Sequence, residues 1–255
     1  MLSPGVGPKN TDPLLMGNDL WSASARHLLL VQDHETTQRE WAREMLHNPS
    51  YDRRCGEDCP VESVSFWDAL SYLNKRSRRE GLEPCYELSL CHGELGAGCD
   101  GDRAFCEAEH GCRDVVFKGM QCTGYRLPTE LEWEYAAGRS SFPWGEATDT
   151  AHRATMDMER FTPQSVHASS SGDSAAGIRQ LWGNVWEWTS STFEPYPGFE
   201  PGPYRDYSEP WFGDHRVLRG GSFATPGRLM RSTWRNYYRP ERRDIFAGFR
   251  TAADL

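Results

Sequence analysis

The sequence predicts one α+β domain in which regular secondary structure is sparse. Three segments in the first 140 residues carry helix signals, whereas the rest is Ser-, Gly- and Thr-rich loop followed by short strands that Gly and Pro interrupt. The 255 residues are 12% aromatic and include ten tryptophans and 24 glycines, a composition typical of loop-rich folds in which rings fill the space between regular elements. Because no linker or internal repeat divides residues 26–255, we expect a single domain there, preceded by a flexible lead-in over residues 1–25.

The first strand and the first helix follow from local patterns. Residues 27–34, HLLLVQDH, predict a strand. Thr37 and Glu40 have the spacing of a capping box, in which the threonine hydroxyl accepts a bond from the backbone N–H three residues on and the glutamate accepts one from the threonine N–H. The helix that they open should end near Leu46, ahead of the Asn-Pro pair at 48–49.

Two further helices are predicted before residue 140. Residues 65–68, Ser-Phe-Trp-Asp, open a segment whose apolar positions recur at intervals of three and four, which predicts an amphipathic helix that ends near Gly81. Thr129 and Glu132 form another capping box, and Gly138 follows the last turn of the helix that they predict. After residue 140 no segment carries a comparable helix signal.

Charge and hydropathy argue against two broad classes of protein. A formal charge of −9 disfavours a general nucleic-acid-binding protein, because phosphate contacts require a basic face. The longest apolar run, Leu28–Val31, is strand-sized and too short to span a membrane. The N-terminal residues contain Pro, Gly and polar side chains without an apolar core, so as written they do not form a secretory signal.

All eight cysteines lie between Cys55 and Cys122, in a Gly-rich and polar part of the chain. This clustering predicts a disulfide-stapled insertion at about residues 85–122 and an oxidising, extracytoplasmic compartment. Zinc binding and reduced thiols are the alternatives, although none of the spacings is the CxxC that zinc prefers. Our hypothesis for the pairing is Cys55–Cys59, Cys85–Cys122, Cys91–Cys112 and Cys99–Cys106. If these bridges form, the lack of a visible signal peptide implies an incomplete N-terminus or an unusual export route.

Four sequence blocks resemble the formylglycine-generating enzyme/sulfatase-modifying-factor superfamily. They are GYRLPTELEWEYAAG at 124–138, LWGNVWEWTSS at 181–191, RVLRGGSF at 216–223 and AGFR at 247–250. Their order and spacing are similar to those of the family over roughly residues 26–253. The resemblance implies the family's variant of the C-type-lectin-like fold, which is an α+β fold with sparse secondary structure.

The copper chemistry of this superfamily does not carry over to the sequence. In the formylglycine-generating enzymes, two cysteines that bind copper follow the GGS segment. Here no cysteine occurs after Cys122, and Thr225 stands about where the first of the two would fall. Because Cu(I) requires a soft thiolate site, the resemblance implies the fold without a copper cofactor.

The resemblance also implies a structural calcium at the loop Gly183–Trp188. Glu187 would supply its carboxylate, and Gly183 and Val185 would supply backbone carbonyls, which are the oxygen ligands that calcium prefers. Gln180 stands where the family often has an asparagine ligand. The alternative is a tight turn with its two tryptophans in the core and Glu187 in a hydrogen-bond network.

The segments Pro195–Gly213 and Arg231–Arg243 are more similar to the lectin-like part of the ergothioneine-type sulfoxide synthases. That resemblance implies a substrate or ligand pocket lined by Asn236, Tyr237 and Arg242. Arginine forms two parallel hydrogen bonds with a carboxylate, and aromatic faces attract cations. These side chains therefore suit an amino-acid-like ligand.

Three other arginines of the C-terminal third have an alternative, purely structural interpretation. We expect Arg231, Arg235 and Arg250 to form buried salt bridges, because arginine suits buried positions with several hydrogen bonds.

Iron is not supported by this chain alone. The sulfoxide synthases hold non-haem iron with histidines from a separate helical domain that carries an HxxxH element. None of the eight histidines here has that spacing on a predicted helix. An iron enzyme built on this chain would therefore need a separate iron-binding helical partner.

These observations leave three functional hypotheses, and none assigns a catalytic residue. We favour a non-catalytic binding or structural module for an unidentified small-molecule, peptide or protein ligand, since loops on a rigid scaffold carry recognition. The alternative is a non-haem iron, oxygen-dependent enzyme of the sulfoxide-synthase type, or its substrate-binding half. A formylglycine-generating oxidase is third, because the copper-binding cysteines are missing.

Overall fold

The computed structural model describes residues 29–98, 110–138, 140–150 and 152–254. Three short helices and eight short strands are joined by long irregular segments, as the α+β prediction requires. The helices are α1 (Gln38–Glu44), α2 (Phe66–Arg79) and α3 (Glu130–Ala137). The strands are β1 (Leu29–Val31), β2 (Tyr86–Ser89), β3 (Asp114–Phe117), β4 (Trp186–Thr192), β5 (Arg216–Arg219), β6 (Asn236–Tyr238), β7 (Ala247–Gly248) and β8 (Ala252–Asp254). No helix in these described ranges is long and apolar enough to cross a membrane.

Each helix begins at a side-chain cap, and this confirms the three predicted helix starts. Thr37 and Thr129 form the predicted capping boxes, with Glu40 and Glu132 as the returning carboxylates. At α2 the cap is Ser65, whose hydroxyl accepts from the Asp68 N–H while Asp68 accepts from the Ser65 N–H. The first helix ends at Glu44, two residues before the predicted end. After residue 140 the only helical elements of the described chain are single 3₁₀ turns.

The strands form one central sheet and two small ones. The central sheet has the order β6-β5-β4-β7, with β4 antiparallel to β5 and parallel to β7. The predicted strand at 27–34 is confirmed over its described middle part, β1, which pairs antiparallel with β8. Strands β2 and β3 form an antiparallel hairpin that stands apart from the other sheets.

Aromatic side chains fill the main core. Trp41 stacks on Tyr72 with ring centroids 5.5 Å apart, and Phe249 meets both rings edge-on. Trp188 of β4 donates its indole N–H to the Val64 carbonyl at 2.7 Å, which ties the central sheet to the start of α2. Rings therefore occupy the volume that longer helices and strands would otherwise fill.

Three of the four predicted disulfides are confirmed: Cys55–Cys59, Cys85–Cys122 and Cys91–Cys112. The fourth pair, Cys99 and Cys106, lies outside the described residues. Two bridges staple the hairpin β2–β3, one at its base and one beyond its far end, where His92 and Gly111 also pair through their backbones. The described parts of residues 85–122 thus form a stapled hairpin.

Candidate ligand-binding cavity

A cavity of about 690 Å³ lies where the stapled hairpin meets the central sheet and the first turn of α2. This volume is within the range of about 300–1,000 Å³ that is typical of small-molecule sites. The lining residues are Trp67, His92, Cys112, Arg113, Asp114, Val115, Gly213, Asp214, Arg216, Arg239, Pro240, Glu241 and Arg242.

The hairpin is fixed to the rest of the protein by a buried ion pair. Asp68, which caps α2, accepts from Arg243 at 2.9 and 3.0 Å and from the Gly96 N–H at 2.7 Å. Arg243 donates in turn to the His110 carbonyl at 2.8 Å. One carboxylate therefore joins the helix start, the C-terminal segment and the insertion, and this holds the walls of the cavity together.

Trp67 forms the wall of the cavity on the α2 side. Its ring packs edge-on against Phe66 with centroids 5.6 Å apart, and only 4% of the residue is exposed. Gly111 of the hairpin approaches so closely that a Cβ there would lie 3.1 Å from the indole Cδ1. The indole N–H is buried and finds no acceptor in the part of the chain that the structure describes, which is uncommon for a buried polar group.

Arg216, the first residue of β5, forms the wall on the sheet side. Its guanidinium lies 4.9 Å from the ring centroid of Phe66, and Nη1 donates to the Thr192 hydroxyl at 2.7 Å and to the Ser190 carbonyl at 3.5 Å. It has no carboxylate partner among the described residues. Burial lowers the pKa of Arg216 from its usual value, because desolvation disfavours the charged form.

The other charged side chains of the cavity are mixed in sign. Arg113 and Arg239 are exposed at its rim. Asp214 is engaged by the adjacent His215, whose Nδ1 lies 2.6 Å from the carboxylate, and the Asp114 carboxylate accepts from the Val115 N–H. With Glu241 and Arg242 included, four arginines face three carboxylates, so the lining carries a small positive excess.

The structure brings one of the three predicted ligand-binding residues to this cavity. Arg242 lines it, with its guanidinium held by Asp244 at 2.6 and 3.0 Å and lying 4.4 Å from the Tyr238 ring centroid. Asn236 and Tyr237 are not among the lining residues, because their strand, β6, pairs with β5 and turns these side chains to other partners.

Tyr237 is packed inside a cluster of rings. It stacks on Phe193 with centroids 3.9 Å apart, and its hydroxyl donates to the Tyr207 carbonyl. Burial, with smaller contributions from Tyr207 and Tyr238, raises the pKa of Tyr237 to about 12. The Asn236 side chain accepts from the Tyr237 N–H at 3.0 Å. Both side chains therefore have structural contacts in this state.

Glu187, the predicted carboxylate ligand of calcium, lies in β4 and is fully buried. Arg250 donates to both oxygens of Glu187 at 2.6 and 2.7 Å, and the Trp133 indole donates to one of them at 3.0 Å. These contacts match the alternative interpretation of Glu187 as part of a hydrogen-bond network.

Glu35 is a second buried carboxyl in that network, and no pattern in the sequence indicates it. It accepts from the Val185 N–H at 3.1 Å and from the Asn184 amide at 2.6 Å. Burial raises the pKa of Glu35 well above its usual value, and the charge of Glu187 adds to the effect while Arg250 opposes it. One guanidinium thus faces two carboxyl groups.

The residues of the loop Gly183–Trp188 fit calcium in part. The Gln180 side-chain oxygen is buried without a donor, and it stands at the position of the family's asparagine ligand. Against this, Arg250 already neutralises Glu187, and calcium requires six to eight oxygens. Within the described residues, no three side chains among His, Cys, Asp and Glu converge as a metal site.

Two of the three arginines that we expected in buried salt bridges are found there. Arg235 pairs with Glu130 at 2.7 Å, and Arg250 pairs with Glu187. The expectation was wrong for Arg231, which is exposed. It follows a 3₁₀ turn at the surface, where its guanidinium donates to the carbonyls of Arg228 and Met230 and meets no described carboxylate.

Thr225, which stands about where the family's first copper-binding cysteine would fall, has a structural role. It is buried, and its hydroxyl accepts from the Ser222 N–H at 2.9 Å and contacts the Ser222 hydroxyl at 3.2 Å. The residue therefore closes the turn after the GGS segment. The six described cysteines are all in disulfides.

Sequence reasoning missed the two side chains that define the cavity, Trp67 and Arg216. Trp67 lies in a predicted helix and Arg216 in a predicted strand segment. The elements were therefore predicted, but not that the two side chains line one cavity. The signal for Arg216 was its place in RVLRGGSF, next to apolar positions. The sequence contains no signal for the lack of a carboxylate beside it.

Comparisons with known proteins agree with this architecture. The profile of the FGE-sulfatase family, described as a sulfatase-modifying factor enzyme 1-like domain, matches residues 24–255. A hercynine oxygenase of Mycolicibacterium thermoresistibile is 46% identical over 144 residues, which are 52% of this chain and 32% of that protein. A formylglycine-generating enzyme of Streptomyces coelicolor is 34% identical over 155 residues, 51% of this chain and 47% of that protein.

The aligned part thus spans less than half the length of these two curated relatives. Among solved structures, Treponema denticola variable protein 1 superposes with a TM-score of 0.65 at 27% identity, covering 88% of this chain and 84% of that one. The family profile covers nearly all of the chain, and the fold and the sequence blocks agree with it. This chain belongs to the FGE-sulfatase family.

Proposed function

We propose that this chain is a non-catalytic, extracytoplasmic binding module of the FGE-sulfatase family that recognises a small ligand in the cavity between the stapled hairpin and the central sheet. The observation that carries the proposal is the cavity itself, with the uncompensated guanidinium of Arg216 and the unpaired indole N–H of Trp67 in its walls. Convergent polar groups in a concave site of this size are typical of ligand binding.

The cysteines support the non-catalytic part of the proposal. A copper-thiolate mechanism needs two free thiolates near the GGS segment, and no cysteine follows Cys122 in the sequence. The described cysteines are committed to bridges, and Thr225 is committed to its hydrogen bonds with Ser222. The same bridges support an extracytoplasmic location, because disulfides persist in oxidising compartments.

The test combines a thiol count with metal and oxygen measurements on the unreduced protein. We expect no free thiol after denaturation, no stoichiometric Cu(I) or Fe(II) binding, and no oxygen uptake when copper and a cysteine-containing peptide are added. A control sample reduced before the count should show all the thiols. Oxygen uptake with either metal, or tight copper binding by free thiols, would overturn the proposal.

The second candidate is the substrate-binding half of an oxygen-dependent sulfoxide-synthase-like enzyme, with iron supplied by a separate helical chain. The 46% identity to a hercynine oxygenase over 144 residues favours it. Asn236, Tyr237 and Arg242 would then bind substrate, which requires Tyr237 to leave its stack on Phe193. Binding of hercynine to this chain, weakened by Arg242→Gln and unaffected by Arg231→Gln, would favour this candidate over the first.

A structural calcium at Gly183, Val185 and Glu187 is a separate part of the proposal. The Gln180 oxygen without a donor supports it, and the pairing of Glu187 with Arg250 opposes it. Calcium that binds the folded state alone stabilises it, by an amount that grows with the logarithm of the calcium concentration relative to Kd. Removal of calcium with EGTA should therefore lower Tm, and restored calcium, but not magnesium, should raise it again. An unchanged Tm would contradict a calcium site.

A further inference from the structure

We infer that Arg216 anchors a carboxylate-binding subsite in this cavity, and that the ligand is a small organic molecule whose carboxylate lies against the Arg216 guanidinium. The inference rests on the proposed binding function, and it adds the chemical class of the ligand and the residue that recognises it.

The first step is the charge of Arg216. A half-buried guanidinium is costly unless a carboxylate or several acceptors compensate it. Two fully buried arginines, Arg219 in the central sheet and Arg250 just after β7, are compensated in this way by glutamates. Arg216 has only a hydroxyl and a long contact to a carbonyl, both at Nη1. The position is therefore incomplete without an anion.

The second step is the geometry of the guanidinium. Thr192 holds Nη1, and the ring of Phe66 supports the planar group at 4.9 Å. The remaining donors of Arg216, Nε and Nη2, have no acceptor among the described residues. The residue lines the cavity, so a ligand there can supply one. Two adjacent N–H groups of a fixed guanidinium match the two oxygens of a carboxylate, so the arginine is oriented in advance for this group.

The third step is the rest of the lining, which favours an organic anion over an inorganic or highly charged one. Trp67, Val115, Pro240 and the Cys91–Cys112 bridge give an apolar surface for the body of a ligand. The three carboxylates of the lining offset three of its four arginines, so the cavity has too little net positive charge to favour groups with several negative charges. A polyphosphate or a nucleic acid is thus disfavoured, and one carboxylate on an apolar body is favoured.

The indole N–H of Trp67 offers a direct reporter of binding. It has no acceptor among the described residues and lies in the wall of the same cavity as Arg216, so an anion placed beside Arg216 changes its electrostatic surroundings. In the disulfide-intact, ¹⁵N-labelled full chain, the Trp67→Phe variant identifies this resonance because its signal disappears. The resonance then serves to titrate the wild-type protein and variants.

The experiment titrates three carboxylates, acetate, succinate and benzoate, against their neutral amides and against inorganic phosphate. We expect at least one carboxylate to shift the Trp67 indole resonance with saturation, and its amide to leave the resonance unchanged. Arg216→Gln should weaken that carboxylate by about tenfold or more, since a charge-assisted hydrogen bond to it is lost. Arg216→Lys, which keeps the charge without the fork, should give an intermediate loss.

Arg231→Gln is the matched control, because Arg231 is exposed and contacts only nearby carbonyls; its affinity should equal that of the wild type. Dispersed spectra of Arg216→Gln and Arg216→Lys exclude unfolding as the cause of a loss. The inference is overturned if no carboxylate shifts the resonance, if the amides act equally, if phosphate binds more tightly, or if Arg216→Gln binds like the wild type. None of these results alters the thiol and oxygen measurements, so failure here is distinguishable from failure of the proposed function.

Discussion

Arg216 and Arg219 stand at the two ends of the four-residue strand β5, and their surroundings are opposite. Arg219 is fully buried and meets two carboxylates of α3, Glu130 at 3.1 Å and Glu134 at 2.7 Å. Arg216 is half-buried and meets none among the described residues. Two arginines three positions apart on one strand therefore differ: Arg219 forms buried salt bridges, whereas Arg216 has no described carboxylate partner.

This difference in compensation suggests that one end of β5 serves the stability of the fold and the other serves ligand binding. At the Arg219 end, helix α3 closes over the sheet, and its two carboxylates neutralise the guanidinium before any ligand is considered. At the Arg216 end, the sheet faces a cavity that the stapled hairpin leaves open. A buried charge with a partner holds the fold together, whereas a buried charge that opens onto a cavity is available to an external partner.

The largest loss of stability should come from replacing Arg219, at the end of β5 where glutamates neutralise the guanidinium. Arg219→Met removes the partner of Glu134 and one of two partners of Glu130, so buried carboxylates lose their compensation. We expect a loss of about 3–5 kcal/mol of unfolding free energy, as is usual when one member of a buried ion pair is removed. Urea unfolding followed by tryptophan fluorescence measures it. A loss below about 1 kcal/mol would show that the two ends do not differ in this way.

The second effect concerns the wall of the cavity. Replacing both Cys91 and Cys112 with serine opens a bridge with a sequence separation of 21, which should cost about 3 kcal/mol in the chain-entropy account. It should also weaken the carboxylate that binds at Arg216, because Cys112 lines the cavity.

The control for that variant removes the other short bridge. Serine at Cys55 and Cys59, with a separation of 4, should cost about 2 kcal/mol and leave carboxylate affinity unchanged. Equal losses of affinity in the two variants would show that the hairpin has no specific part in the site.

A third test uses a carboxylate that is fully buried and that no salt bridge compensates among the described residues. Glu62 accepts from the Asp52 N–H at 2.9 Å and from the Ser63 hydroxyl at 2.7 Å, and a backbone hydrogen bond from Tyr51 also acts on it. Burial raises the pKa of Glu62 from 4.5 to about 7. Between these values the folded state binds more protons than the unfolded state, so stability falls as the pH rises and the loss is complete above about pH 7.

Glu62→Gln removes this dependence. By the pKa difference, the wild type should lose roughly 2–3 kcal/mol between pH 4.5 and pH 8, and the variant should not. Urea unfolding at several pH values compares the two, with Glu57→Gln at an exposed surface carboxylate as control. A wild-type stability that rises over this range would contradict the assignment. Compared with Arg216, the result shows what a buried charge does when no ligand can reach it.

The sequence was sufficient for the parts of the fold that depend on near neighbours. The caps at Thr37, Ser65 and Thr129 were predicted because the donor and acceptor lie three residues apart. The three described disulfides were predicted from clustering and nesting within one short segment.

What the sequence could not give depends on contacts between distant positions. Arg216 and Trp67 are about 150 residues apart in the sequence but line one cavity, whose walls are held together by Asp68 and Arg243, a pair separated by 175 positions. The resemblance suggested both Arg242, which lines the cavity, and Tyr237, whose ring is held by Phe193. A missing counter-ion is a property of the assembled structure, so no local pattern can signal it.

The smallest expected effect on stability is at Arg216 itself. Because this guanidinium has no carboxylate partner, Arg216→Met removes a desolvated charge while keeping its apolar contact with Phe66. We expect the unfolding free energy to change by less than about 1 kcal/mol. A small increase is the expected direction, because an uncompensated charge has been removed. Urea unfolding beside Arg219→Met makes the measurement. A loss of several kcal/mol would mean that Arg216 supports the fold as Arg219 does, and the contrast between the two ends of β5 would disappear.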